Sequence, residues 1–157
     1  MLFYLNVDEL TMLNDAISAS DMAWWVMEFP SGVVFFHQNK IRMLGYSDND
    51  AENFAHYTSF TNRIHKDDYK EVMQNMRDHL EGKKDRYEAA YRVKTKDGTY
   101  RRFFDRGRIV ARDDHGNIAL AGIVIYMPED DATLKEVLRS IKRKTKKVPR
   151  SHSHPKG

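Results

Sequence analysis

The chain contains no cysteine in 157 residues. That single absence excludes disulfides, thiolate metal sites, cysteine nucleophiles and any chromophore held through sulfur. Long apolar runs are also missing, and nothing approaches the roughly 20 residues a membrane-spanning helix needs. The opening MLFYLNVDEL has no basic segment and meets an acid at Asp8, so it does not read as a leader. A reducing, cytoplasmic setting is the expectation. No H-E-x-x-H spacing occurs among the seven histidines, and no glycine-rich phosphate loop is present.

What is there is a chain of one-domain length, 41% hydrophobic and 31% charged. Its net charge of +3 hides an asymmetry. From Lys135 to Gly157 there are nine basic residues and one acid, so the remainder is mildly acidic and the high pI belongs to the tail. Such a tail, with Arg139, Lys142, Arg143, Lys144, Lys146 and Lys147, has the charge to meet nucleic acid or an acidic partner. A like-charged run is more commonly a solvated helix end or linker, and that reading is preferred here.

Hydrophobic periodicity gives the element order. Leu10, Leu13 and Ile17 form one helical stripe behind a cap at Asn6 or Asp8. AWWVMEFPSGVVFFHQ reads as two strands around a Pro-Ser-Gly turn. A short helix, NKIRML, stops at Gly45. The clearest helix runs from Lys66 to Leu80, with Asp67 and Asp68 in its first turn and Gly82 beyond its end. Three strands follow near 86–95, 100–112 and 118–127, joined by Lys-Asp-Gly and Asp-His-Gly turns. A last helix over 133–146 carries Leu134, Val137, Leu138 and Ile141, and the polar 148–157 segment is expected to be disordered. Helix, two strands, helices, three strands and helix make an α+β protein with one antiparallel sheet.

The hairpin YRVKTKDGTYRRFFDRGRIV concentrates arginines and aromatics. Tyr91, Val93 and Thr95 alternate with Arg92, Lys94 and Lys96, the pattern of a half-buried strand. The arginines therefore read as the wet face of a sheet. Arg92, Arg102 and Arg106 are then placed to pair with Glu88 and Asp105 across strands. Asp67 and Asp68 are adjacent and point apart, so helix-dipole compensation explains them better than acid–base catalysis does.

These segments resemble a PAS domain, the small sensor module of signalling proteins. The resemblance runs from about Ala23 to Met127. It is carried in order by WVMEFPSGVVFF, MLGYS at 43–47, IHKDDY at 64–69, HLEGK at 79–83, the 91–117 hairpin region and AGIVIY at 121–126. It implies a five-stranded antiparallel sheet in the order 2-1-5-4-3 with helices across one face. It divides the chain into a flanking helix (1–22), the PAS domain (23–128), a basic helix or linker (129–147) and a tail (148–157). Three positions depart from the family pattern. Lys66 follows His65 where proline is common, Arg102 stands where tryptophan is frequent, and Tyr126-Met127-Pro128 replaces an Asp-Ile-Thr motif.

The resemblance implies a sensory or signal-transduction module, related to two-component histidine kinases or diguanylate cyclases and not itself an enzyme. It would bind a small ligand or a partner protein. It would relay that event through its terminal helices, for which Leu10, Leu13, Ile17, Leu134, Val137, Leu138 and Ile141 supply the apolar faces, as a homodimer or to a downstream kinase or cyclase domain. The matching pocket positions are Phe36, Met43, Phe54, Met73, Met76, Tyr91, Phe104 and Ile123, residues that serve equally well as plain core. No cofactor is specified. Flavin of the cysteine-adduct type is excluded, whereas non-covalent flavin is not. Haem would require His79, for which a role at the helix C-terminus is the stronger reading.

Overall fold

Met22–Phe29 (β1) begins the sheet with every second side chain turned into the core, and the rest of the fold is built on that parity. The structure is a computed structural model that describes residues 8–127 together with 136, 139, 140, 142 and 143. The terminal-helix residues Leu134, Val137, Leu138 and Ile141, and the 148–157 tail, lie outside the described residues.

Glu9–Ser18 (α1) starts where Asp8 accepts a 2.8 Å hydrogen bond from the Thr11 N–H, selecting Asp8 over Asn6 as the cap. Val34–Phe36 (β2) pairs antiparallel with β1 after the turn at Gly32, whose φ of +79° is the left-handed conformation glycine adopts without strain. Asn39–Arg42 (α2), a 3₁₀ helix over Asp48–Phe54 and Thr58–Thr61 (α3) follow. Lys66–Leu80 (α4) is capped by His65, whose Nδ1 accepts from the Asp67 N–H. Tyr87–Lys94 (β3), Tyr100–Arg112 (β4) and Ile118–Tyr126 (β5) complete the sheet.

The strand order is β2-β1-β5-β4-β3, all neighbours antiparallel. The implied order and fold class are thus the observed ones. On the inner face Trp25, Leu120, Val124, Phe103, Tyr91 and Val93 are buried. Trp25, the bulkiest of them, lies across a gap left by two glycines that face each other, Gly107 and Gly122. A Cβ at Gly107 would stand 2.7 Å from Trp25 Cη2, and one at Gly122 would fall within 3.0 Å of the same indole and 2.5 Å from the Arg106 carbonyl oxygen. Only glycine admits the ring here.

Arg92, Arg102, Arg106 and Arg108 take the outward parity of their strands, whereas Arg101 shares the parity of Phe103 and stacks on the Tyr126 ring at 5.2 Å. Arg92 embraces Asp68, donating from Nε (2.8 Å), Nη2 (2.9 Å) and its backbone N–H (2.9 Å), and so pins α4 to β3. Arg106 meets Glu88 at 3.0 Å. Asp105 corrects the cross-strand pairing expected of it. It shares parity with Phe103 and Gly107 and is buried on the inner face, away from Arg92, Arg102 and Arg106.

Among the described residues, no helix is long and apolar enough to cross a membrane.

A candidate ligand-binding cavity

Between the inner face of the sheet and α4 lies a cavity of about 250 Å³. Its floor is Trp25, Met27 and Phe29 from β1, Tyr87, Tyr91 and Val93 from β3, and Phe103 and Asp105 from β4. Val72, Met73, Met76 and Leu80, on one side of α4, form the roof, and Lys40, Phe60 and Ile64 close an end. An apolar hollow with a few convergent polar groups is the usual form of a small-molecule site.

Two of those polar groups are ionisable and almost fully buried: Asp105 is 5% exposed and Lys40 is 6%. Asp105 is held by two donors, Trp25 Nε1 at 2.6 Å on one oxygen and Tyr91 Oη at 2.9 Å on the other. Burial pushes its carboxyl above the ordinary 3.8, opposed by Lys40 and by the two hydrogen bonds. Burial likewise holds the Lys40 ammonium below the usual 10.5, with the charge of Asp105 opposing. The Tyr91 and Tyr87 hydroxyls are pushed well above 10.0, chiefly by burial and then by Asp105. Both tyrosines therefore stay neutral donors.

The two charges differ in how well they are satisfied. Among the described residues the Lys40 Nζ makes no hydrogen bond or ion pair. It stands over the Phe60 ring, 4.2 Å from its centre.

Of the residues expected at the pocket, Met73, Met76 and Tyr91 line the cavity. Phe54 is fully buried beside it, packed on Tyr46 and Phe60 with ring centres 5.0 Å away in each case. Phe36 packs edge-on to Phe60, and Met43 lies against the core, both outside the cavity wall. Phe104 and Ile123 belong to the other face of the sheet. The inward neighbours are Phe103 and Val124, one residue away, and a one-residue offset reverses every side chain of a strand. Lys40, Asp105 and Trp25 were missed as site residues. The parity of Phe103, Asp105 and Gly107 could have found Asp105, whereas nothing in the pattern of α2 marks Lys40.

His79 sits at the end of α4 with both ring nitrogens engaged. Nδ1 is 2.9 Å from the Lys84 carbonyl oxygen, and Nε2 accepts from the Ile109 N–H at 3.0 Å. β3 ends at Tyr87, opposite Gly107, so Ile109 lies beyond its reach and finds the imidazole instead. This is a structural clasp with no nitrogen left for an iron. Among the described residues no cluster of three or more His, Cys, Asp or Glu could hold a metal ion.

A family model described as PAS fold matches residues 33–124, well over half of the chain. The chain belongs to the PAS fold family. Solved structures agree on the fold. A sensory box histidine kinase/response regulator from Burkholderia thailandensis is 23% identical over 87% of this chain and 98% of its own, with a TM-score of 0.62. The N-terminal domain of a diguanylate cyclase with PAS/PAC sensor from Marinobacter aquaeolei is 22% identical over 73% of this chain and 98% of its own, with a TM-score of 0.53. A domain of a putative light and redox sensing histidine kinase from Haloarcula marismortui is 17% identical over 74% and 98%, with a TM-score of 0.57. No curated protein matches the chain. In this PAS chain the cavity lies under α4, with Lys40 and Asp105 as its buried charged groups and Arg77, whose Nη2 donates to Gln74 Oε1 at 3.0 Å, at its edge on α4.

Proposed function

We propose that this PAS domain is a non-catalytic sensory module that takes a small molecule into the cavity and relays occupancy to α1. The supporting observation is the position of Lys40. It lines the cavity and directly follows Asn39 in the four-residue helix α2. The Asn39 amide donates to the carbonyls of Ile17 (2.7 Å), Ser20 (3.3 Å) and Met22 (3.0 Å), at the junction of α1 and β1. Two residues earlier, His37 Nε2 lies 3.1 Å from Ser18 Oγ, and Trp24 Nε1 donates to Asn14 within α1 at 2.7 Å. A ligand that moves Lys40 moves the segment that holds the end of α1, which is the differential contact a population shift requires.

α1 exposes Leu10 and Leu13, at 69% and 60%, while Ile17 is half-buried. An uncovered stripe of this kind supports a second copy or a downstream kinase or cyclase domain as the receiver. A cytoplasmic setting and the domain limits at 22/23 and 128/129 belong to the same reading. Native mass spectrometry of protein purified from its own host, with an absorbance scan, tests it. A bound small molecule, together with altered hydrogen exchange in α1 once it is removed, is the expected result. Bare protein whose α1 exchange responds to no small molecule overturns the reading.

A further inference from the structure

We propose that the cavity selects a small organic anion, an aromatic or aliphatic monocarboxylate whose carboxylate docks on the Lys40 ammonium. The inference rests on the cavity being a ligand site and adds the chemistry of its ligand. Lys40 carries three donors, is more than nine-tenths buried, and has no hydrogen-bond acceptor among the described residues. The Nζ is open to the cavity space, so whatever fills that space must supply the acceptors that the walls do not. A ligand supplying an acceptor meets that demand.

Charge then narrows the acceptor. Asp105, the one acid among the described residues that line the cavity, has each oxygen committed to a wall donor, Trp25 or Tyr91, and Arg77, the second cation of the lining, is held by Gln74 on α4. What the walls leave unmet is therefore a demand for negative charge at Lys40, not for positive charge at Asp105. Burial disfavours the charged form of Lys40, and an anion beside it favours the ammonium again. Any acceptor makes a charge-assisted bond with the ammonium, and a carboxylate adds the attraction of a full opposite charge in a site of low dielectric.

Volume sets the body. An apolar cavity of about 150 Å³ holds benzene. The 250 Å³ here has room for one ring and a short acid-bearing arm. Met27, Met73 and Met76 give the apolar wall side chains that adapt to the shape of that body.

Three isosteric probes separate the possibilities on the full chain: 3-phenylpropionate, 3-phenylpropionamide and 3-phenylpropylamine, titrated by calorimetry and by Trp fluorescence. The acid is expected to bind at least tenfold more tightly than the amide, and the amine more weakly than both. In Lys40→Met the preference for the acid is expected to disappear while amide binding persists, which also shows that the variant is folded. Equal affinity for acid and amide, or tighter binding of the amine, refutes the anion assignment and leaves the cavity standing as a ligand site. Failure of all three probes to bind refutes both. An acid preference undiminished in Lys40→Met refutes the role of Lys40.

Discussion

Replacing Gly122 with alanine tests how the cavity floor is assembled. On a bare strand the change should help, because glycine in a strand interior is destabilising by roughly 0.5–1 kcal/mol relative to alanine. The structure reverses that sign. The new methyl would stand within 3.0 Å of the Trp25 ring and 2.5 Å from the Arg106 carbonyl oxygen, so the indole must move. Overpacking of this kind costs about 1–3 kcal/mol. Displacing the ring also breaks the 2.6 Å Trp25–Asp105 hydrogen bond, and bonds to a charged or chargeable partner are worth about 1.5–3 kcal/mol. A loss of about 3–6 kcal/mol follows, a large share of the roughly 5–15 kcal/mol by which domains are stable. Urea unfolding by circular dichroism measures it directly. A Trp25→Phe background separates the causes, since the smaller ring should leave the methyl space. There the Gly122→Ala penalty should shrink by at least about 1 kcal/mol, the residue being the contact with the Arg106 carbonyl. A Gly122→Ala protein as stable as the parent, or a penalty unchanged by Trp25→Phe, would refute the account.

Three further outcomes are expected. His79→Leu strands the Ile109 N–H and the Lys84 carbonyl, so it should cost about 2–4 kcal/mol, and haemin added to either protein should give the same absorbance spectrum. A histidine-dependent Soret band would overturn the clasp assignment. The Arg92 hydrogen bonds hold the Asp68 carboxyl below 3.8, so its contribution is complete above that value and is lost as pH falls through the lower folded pKa. Accordingly, the stability gap between the parent and Asp68→Asn should close in acid, and a gap independent of pH would contradict the pairing. Lys40→Met should stabilise the empty protein at neutral pH, because the desolvation of an ammonium without a hydrogen-bond acceptor is relieved and outweighs the attraction lost at Asp105. Because burial lowers the Lys40 pKa, the unfolded chain binds that proton more tightly, and the parent should recover the difference as pH rises toward 10.5. Destabilisation at neutral pH would show that the ammonium is satisfied by groups of the protein itself.

Periodicity exposed the elements because each one buries a single face. α4 shows Val72, Met73, Met76 and Leu80 at helical spacing, and these residues form the cavity roof. β3 alternates cleanly from Tyr87 to Lys94, so Tyr91 was placed correctly on the inner face. The adjacent Phe103 and Phe104 in β4 defeated the same logic. Both are aromatic, both fit a strand, and hydrophobicity alone cannot choose which points inward. Gly107 held the missing information, since a strand glycine marks a close approach and Trp25 makes that approach from β1. That contact joins residues 82 or more positions apart in sequence, beyond the reach of a local pattern.

The charged residues of the cavity were hidden for a different reason. Asp105 and Lys40 break the rule that ionisable groups face water, and sequence reading therefore assigned Asp105 to the arginine face. Asp105 has a structural explanation, because Trp25 and Tyr91 need an acceptor inside the core and it satisfies both. No such explanation covers Lys40. It gives no hydrogen bond to the described protein, and its ammonium is pushed toward neutrality where it sits. A buried ammonium that has only an aromatic face and a distant carboxylate to offset its desolvation lowers stability, which is what a ligand acceptor entering the cavity would offset. The residue we propose for ligand binding thus lies where the stabilising logic of the core fails, which is why local sequence pattern, a record of that logic, passed over it.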